Sequence, residues 1–202
     1  MTLAFTLELA ARPTPVCGVD EAGRGPWAGP VVAAAVIFSE YVPIEGLNDS
    51  KQVSASRRAM LYDRIMAHCR VGIGQASAEE IDRMNIWRAT ELAMQRAVAA
   101  LPVAAAFALI DGNRMPALPC PGQAIIRGDG ISPSIAAASI IAKVTRDRLM
   151  ADFARHYPQY GFENHAGYGT TQHQAALAAH GICPIHRRSF APIRALLEAE
   201  AV

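Results

Sequence analysis

The stretch from Val16 to Phe38 constrains this chain most. Val16-Cys17-Gly18-Val19 is a short apolar run that ends in two adjacent carboxylates, Asp20 and Glu21. The glycine- and proline-rich segment Ala22 to Pro30 follows, and then a second apolar run, Val31 to Phe38. Strand propensity on both sides of turn chemistry predicts a hairpin with a wide tip, its strands near 16–21 and 29–38. Successive side chains of a strand alternate, so Asp20 and Glu21 face opposite ways unless the turn twists them together. Acids at the mouth of a glycine-rich turn suggest a hard metal beside a phosphate.

The remaining segments supply a sheet and its cover. Residues 1–15, ending in Arg12-Pro13-Thr14-Pro15, read as a short extended arm. After a polar loop from Tyr41 to Gln52, Ser54 caps a helix to about His68 that buries Met60, Leu61, Ile65 and Met66. Val71-Gly72-Ile73-Gly74 alternates as a third strand, and its glycines mark close approach by a neighbouring element. Ser77 caps a helical stretch led by Glu79 and Glu80, and a second helix runs from Asn85 to Leu101 before Pro102. Ala105 to Asp111 reads as a buried central strand and Gln123 to Arg127 as another. Ser132-Pro133 opens a long helix to about Tyr157, with Lys143, Arg146 and Asp147 off its apolar stripe. Thr171 to His180, closed by Gly181, and a segment after Pro192 are the last helices. This order predicts an α/β fold: a central mixed five-stranded sheet flanked by helices, with additional C-terminal helices. At 202 residues the chain suits a single domain, with a core over about 16–185 and a helical tail over about 186–202.

Composition removes several classes of function. With 51% hydrophobic residues, 18% charged residues and a net charge of +1, any polyanion site must come from local clustering of charge. The four cysteines are far apart, which indicates neither a zinc site nor a disulfide framework and fits reduced thiols in a cytoplasmic protein. The longest apolar run, Ala97 to Ile110, is split by Pro102 and too short to span a bilayer, and no basic region precedes an apolar segment at the start. Basic groups gather at Arg57-Arg58, beside Lys143 and Arg146, and at His186-Arg187-Arg188. Lys51, Lys143 and Arg146 are the candidates for phosphate contacts. Arg57 and Arg58 read as solvated, and His165, His173 and His180 as surface residues.

Three places put acids at strand ends: Asp20 with Glu21, Asp111, and Asp129. Each Asp-Gly alone is ordinary turn chemistry. If the strands carrying Asp20 and Asp111 are neighbours, the carboxylates share one sheet edge, where ligands of open α/β sheets collect. Two carboxylates about 4 Å apart repel by ~1 kcal/mol in water and ~4 kcal/mol at an effective dielectric near 20. Such a cluster requires a divalent cation or raised pKa values. Oxygen ligands without a Cys/His cluster point to Mg²⁺ or Mn²⁺.

At this point the sequence resembles a family. Gly18-Val19-Asp20-Glu21-Ala22-Gly23-Arg24-Gly25-Pro26 is similar to the signature of ribonuclease HII, the type 2 ribonuclease H. So are Asn48-Asp49-Ser50-Lys51, Asp111-Gly112-Asn113, the run Ser134 to Asp147, Gly167-Tyr168-Gly169-Thr170 and His186-Arg187-Arg188-Ser189-Phe190. The resemblance implies a ribonuclease H-like fold and an endoribonuclease that cleaves the RNA strand of RNA/DNA hybrids and incises 5′ to ribonucleotides embedded in duplex DNA. It implies two ions, Mn²⁺ or Mg²⁺, held by Asp20, Glu21, Asp111 and Asp129, and products ending in a 3′-hydroxyl and a 5′-phosphate. Gly23, Arg24 and Gly25 would recognise the ribonucleotide and Tyr168 the RNA–DNA junction. Removal of RNA primers and misincorporated ribonucleotides by a monomer, with no membrane partner, completes the expectation. The chain departs from the family pattern twice. His165-Ala166 stands where a lysine commonly precedes Gly-Tyr-Gly, and Gly130-Ile131-Ser132-Pro133 replaces a polar, lysine-containing turn. Ribonuclease HIII, a junction resolvase and a non-catalytic hybrid-binding protein are the rivals. The fifteen residues before the first strand, the Gly-Arg-Gly loop with Tyr168, and the full set of four acids respectively argue against them.

Overall fold

In the computed structural model, which describes residues 2–200, the expected hairpin is the spine of the sheet. Helix α1 (Thr6–Ala10) leads into β1 (Val16–Ala22), and β2 (Val31–Phe38) returns antiparallel to it. Helix α2 (Ala55–His68) follows, and β3 (Cys69–Ala76) pairs antiparallel with β2. After α3 (Ala78–Met84) and α4 (Ile86–Ala99), β4 (Phe107–Asp111) pairs parallel with β1, and β5 (Gly122–Ile125) parallel with β4. The strand order is β3-β2-β1-β4-β5, the mixed five-stranded sheet expected from the sequence. The long α5 (Pro133–His156), then α6 (Phe162–His165), α7 (Thr171–His180) and α8 (Ala191–Glu200) complete the chain.

Every residue of β2 is buried, because both faces of the strand are covered. Ala34, Val36 and Phe38 join the core beneath α2 and α5, while Val31, Ala33, Ala35 and Ile37 join the core beneath α3 and α4. Small residues let the helices come close. A Cβ on Gly18 would lie 2.1 Å from the Ser134 carbonyl carbon of α5. On Gly72 and Gly74 it would lie 2.1 and 2.3 Å from the Ala97 and Ala93 carbonyl oxygens of α4. The glycines of β3 thus do mark a close approach, and α4 is the element that makes it.

The N-terminal segment departs from the expected extended arm. It forms α1, whose Glu8 is buried and accepts hydrogen bonds from Ser132 Oγ (2.6 Å), Ser134 N (3.0 Å) and Ser134 Oγ (2.7 Å). A carboxylate at the start of a 24-residue helix meets its free N–H groups and favourable dipole end, which draws the arm onto the domain. In α2 only Leu61 and Ile65 are buried; Met60 and Met66 are exposed, because the contact stripe is a single i, i+4 row. Strand β5 stops at Ile125 rather than Arg127, since Arg127 turns left-handed (φ 55°) into a short 3₁₀ turn at Gly128–Gly130. His186 and Arg187, expected in a peripheral tail, are fully buried. Among the described residues no helix is long and apolar enough to cross a membrane.

Candidate active site

Parallel pairing sets Val19 against Ile110, so the next residues, Asp20 and Asp111, end side by side at the carboxyl edge of the two central strands. Asp129 arrives on the 3₁₀ turn, which is tied to the same edge because Gly128 N–H donates to Asp111 Oδ1 at 2.7 Å. One carboxylate oxygen from each of Asp20, Asp111 and Asp129 lies within 4.8 Å of the others. Strand alternation sends Asp20 toward Ser139 of α5 and Glu21 toward α4, but at the strand end both line one cleft of about 340 Å³.

Electrostatics show what this edge lacks. Burial, then Glu21 and Asp111, push the Asp20 carboxyl well above its ordinary 3.8. Burial raises Glu21 as well, against the pull of Arg24, whose Nη1 lies 3.2 Å from Glu21 Oε1. Burial and Asp111 raise Asp129. Carboxylates made this costly to ionise fit a hard divalent cation, which would offset both desolvation and repulsion.

The Gly-Arg-Gly turn reaches the cleft in a rigid form. Gly23 has φ 95°, and its missing Cβ leaves room for the Arg146 guanidinium. The ring of Tyr168, 48% exposed, lies over Gly25: a Cβ there would be 3.6 Å from Tyr168 Cε1. The two loops interlock. Trp27 N donates to Gly167 O at 2.8 Å, and a Cβ on Gly169 would strike the Trp27 ring.

Arginines hold this turn from beneath, which the sequence reading missed. Arg146, expected to meet phosphate, is only 1% exposed; it donates to the carbonyls of Pro30 (2.9 Å), Ala28 (3.1 Å) and Ala166 (3.0 Å). Arg187 is 0% exposed and donates to the carbonyls of Gly29, Arg24 and Gly23. Burial lowers the two guanidinium pKa values to about 10 and about 9. A turn with two prolines and no ladder between Gly23 and Pro30 leaves its carbonyls without regular partners, and buried acceptors must be satisfied. That surplus of acceptors was the signal available in the sequence.

Two of the three histidines expected at the surface are also internal. His165 and His173 are buried with His186, and only His180 is exposed. Their partners fix the tautomers. Cys183 N–H donates to His186 Nδ1 (2.8 Å), so His186 Nε2–H donates to His173 Nε2 (3.0 Å). His173 Nδ1–H then donates to the Tyr168 carbonyl (3.0 Å). His165 Nδ1 accepts from Gly167 N–H (3.2 Å) while its Nε2 meets Tyr160 O (2.9 Å). The neutral rings thus support the Tyr168 backbone. In place of the family's lysine, His165 is a loop anchor with no route to phosphate.

Of the other expected residues, Lys51 and Lys143 do line the cleft with Asp20, Glu21, Asp111, Gly23, Arg24, Gly25 and Tyr168. Lys51 stands on a 3₁₀ turn braced by Arg58, whose Nη1 donates to Ser50 O (2.8 Å); Arg58 is thereby half-buried rather than simply solvated. Lys143 is paired with Asp147 at 2.7 Å. Ser139, unremarked in the sequence, lines the cleft beside Asp20 and hydrogen-bonds Ser50 at 3.0 Å.

Comparison with known proteins adds an independent line. Residues 17–193 match the family model described as Ribonuclease HII. The chain is 56% identical over 188 residues to the ribonuclease HII of Paracidovorax citrulli, covering 93% of this chain and 78% of that one. It is 58% identical over 184 residues to the ribonuclease HII of Burkholderia vietnamiensis, covering 91% and 85%. Its fold superposes on the crystal structure of ribonuclease H2 from Pyrococcus horikoshii with a TM-score of 0.76 at 27% identity, covering 91% of this chain and 97% of that one.

Proposed function

Because this chain belongs to the ribonuclease HII family, we propose that it is a metal-dependent endoribonuclease that cuts the RNA strand of RNA/DNA hybrids and incises 5′ to single ribonucleotides in duplex DNA. The strongest support is one cleft that joins the carboxylate cluster to the Gly23–Gly25 turn and Tyr168. Asp20, Glu21, Asp111 and Asp129 hold Mg²⁺ or Mn²⁺. Two such ions would supply an activated water and stabilise the leaving 3′-oxygen, leaving 3′-hydroxyl and 5′-phosphate ends.

Gly23 and Gly25 bring backbone groups, unobstructed by Cβ atoms, to a 2′-hydroxyl, the one group that separates RNA from DNA at a single position. Arg187 holds the carbonyls of Gly23 and Arg24, so the turn reads the sugar without rearranging. Tyr168, exposed beside Gly25, lays its ring against the sugar at the RNA–DNA junction. Lys51 and Lys143 meet flanking phosphates, and Arg146 serves the loop from inside. This chemistry suits the removal of RNA primers and misincorporated ribonucleotides.

The test is a DNA duplex carrying one ribonucleotide, incubated with Mn²⁺ or Mg²⁺ and then with a chelator. Chelator-sensitive incision 5′ to the ribonucleotide, with a 5′-phosphate on the downstream fragment, is expected. Tight binding without incision in either metal would overturn the proposal.

A further inference from the structure

Glu21 and Asp111 line two depressions. Beyond the cleft of Lys51, Lys143 and Tyr168, a second groove runs between the first turns of α4 and the segment Gly112–Pro116 that follows β4. At its mouth Trp87 is 52% exposed. The Arg24 guanidinium carbon lies 4.2 Å from the Trp87 ring centroid, and that of Arg114 lies 5.3 Å from it. Scattered exposed tryptophans need no explanation. This one stands on a fixed turn: Asn85, at φ 74°, caps α4 by accepting from Trp87 N (3.0 Å) and Arg88 N (3.2 Å).

The groove adjoins the cleft through Glu21, Arg24 and Asp111, which line both. Trp87 stacks on Arg24, Arg24 pairs with Glu21 at 3.2 Å, and Glu21 stands at the acid edge. A strand whose phosphate is held at the acids must leave them on both sides. Lys51, Lys143 and Tyr168 line the first depression and Trp87 and Arg114 the second, and the two share Glu21, Arg24 and Asp111. A flat ring offers a surface to a sugar, and guanidiniums offer paired N–H groups to a phosphate. Glu21, Glu91 and Asp111 line the groove with Arg24 and Arg114; Arg24 is paired with Glu21, so Arg114 is the lining cation left for a phosphate.

We propose that Trp87 and Arg114 form a second strand-binding platform, in which Trp87 packs against a sugar of the nucleic-acid backbone and Arg114 takes the adjoining phosphate. The proposal rests on the nuclease reading above and adds an interaction in the depression that Tyr168 does not line. Trp87 holds Arg114 in place through the cation–π contact, so the two residues act together.

The test measures KM against salt for a duplex with one ribonucleotide, and repeats it with either flank trimmed. Arg114→Ala should lower the slope of log KM against log salt by about 0.9, the share of a single phosphate, and raise KM about 5- to 10-fold near 0.1 M salt. Trp87→Ala should raise KM similarly and Trp87→Phe restore it. Arg155→Ala, an exposed arginine outside both depressions, should leave the slope alone. Trimming one flank, and one only, should abolish the difference between wild type and Arg114→Ala. An unchanged slope in Arg114→Ala, or a difference that survives trimming of both flanks in turn, overturns the platform while wild-type incision keeps the nuclease reading. Absence of wild-type incision overturns the nuclease reading, and the platform with it.

Discussion

Replacing Arg187 by Met keeps much of the side-chain volume and removes the three guanidinium bonds that Arg187 makes to the recognition turn, leaving those of Arg146 in place. Two buried carbonyls, those of Gly23 and Gly29, and the part-buried one of Arg24 lose their partner. A stranded buried acceptor costs about 1–3 kcal/mol, which sums to roughly 3–9 kcal/mol before relief. Two effects reduce it. Burial of the charge, which lowers the Arg187 pKa to about 9, is no longer required, and a second lone pair on each carbonyl can meet water if the turn loosens. A net loss of about 3 kcal/mol remains, and for a chain of this length it corresponds to a fall in Tm of about 6–12 °C. The turn would also lose its register, so kcat/KM on the single-ribonucleotide duplex should fall about tenfold at a temperature where the variant is folded. Differential scanning calorimetry and incision kinetics measure the two effects, with Arg187→Lys, which supplies a single ammonium, falling between. A melting point within about 1 °C of wild type, or unchanged kcat/KM in the folded variant, would refute the clamp.

Other consequences follow from the acids, the histidines and Tyr168. Asp20, Glu21 and Asp129 have folded pKa values above their ordinary ones, so in metal-free protein their stabilising protonated state is complete below about pH 3.8 and is lost as pH rises through the raised values. Mn²⁺ should therefore raise Tm by an increment that grows from pH 4.5 to 7.5; a pH-independent increment would argue against the cluster as its site. Burial lowers His173 and takes His186 to about 4 from 6.5, so the stability tied to His186 is present above pH 6.5 and disappears toward pH 4, by about 3 kcal/mol. NMR should find both rings neutral at pH 6, and titration near 6.5 would contradict the relay to the Tyr168 carbonyl. Tyr168→Ala should lower incision at a single ribonucleotide about tenfold while sparing long hybrids; equal losses on both would exclude a junction role.

Local signals made the sheet legible. The runs Val16–Val19 and Val31–Phe38, the Ser132-Pro133 start and the glycines of β3 each carry their meaning within a few residues. The acids were legible because Asp20, Asp111 and Asp129 each end a strand or follow one, and parallel pairing of β1 with β4 brings two of them together. The arginines were not. Charge implies surface, and only a long-range convergence of carbonyls from Gly23 to Pro30 makes burial of Arg146 and Arg187 favourable. Glu8 was hidden for the same reason: its partners, Ser132 and Ser134, lie more than 120 residues away. His165 and His173 occupy loop and helix positions whose polarity suggests solvent, yet His165 stacks on His173 and His173 packs against His186, in a core that forms only when the chain returns after α7. Trp87 was passed over because its neighbours Arg24 and Arg114 come from two other loops.

The central claim is that carboxylates at the strand ends hold the metal that cleavage needs. Asp20→Asn tests it most directly, because Asp20 is the most buried of the cluster and the change preserves its shape. Incision and binding of a single-ribonucleotide duplex are measured together in Mn²⁺. The expected result is cleavage at background with binding within about threefold of wild type, a loss on the chemical step alone. Incision within about tenfold of wild type would place the metal elsewhere and contradict the account.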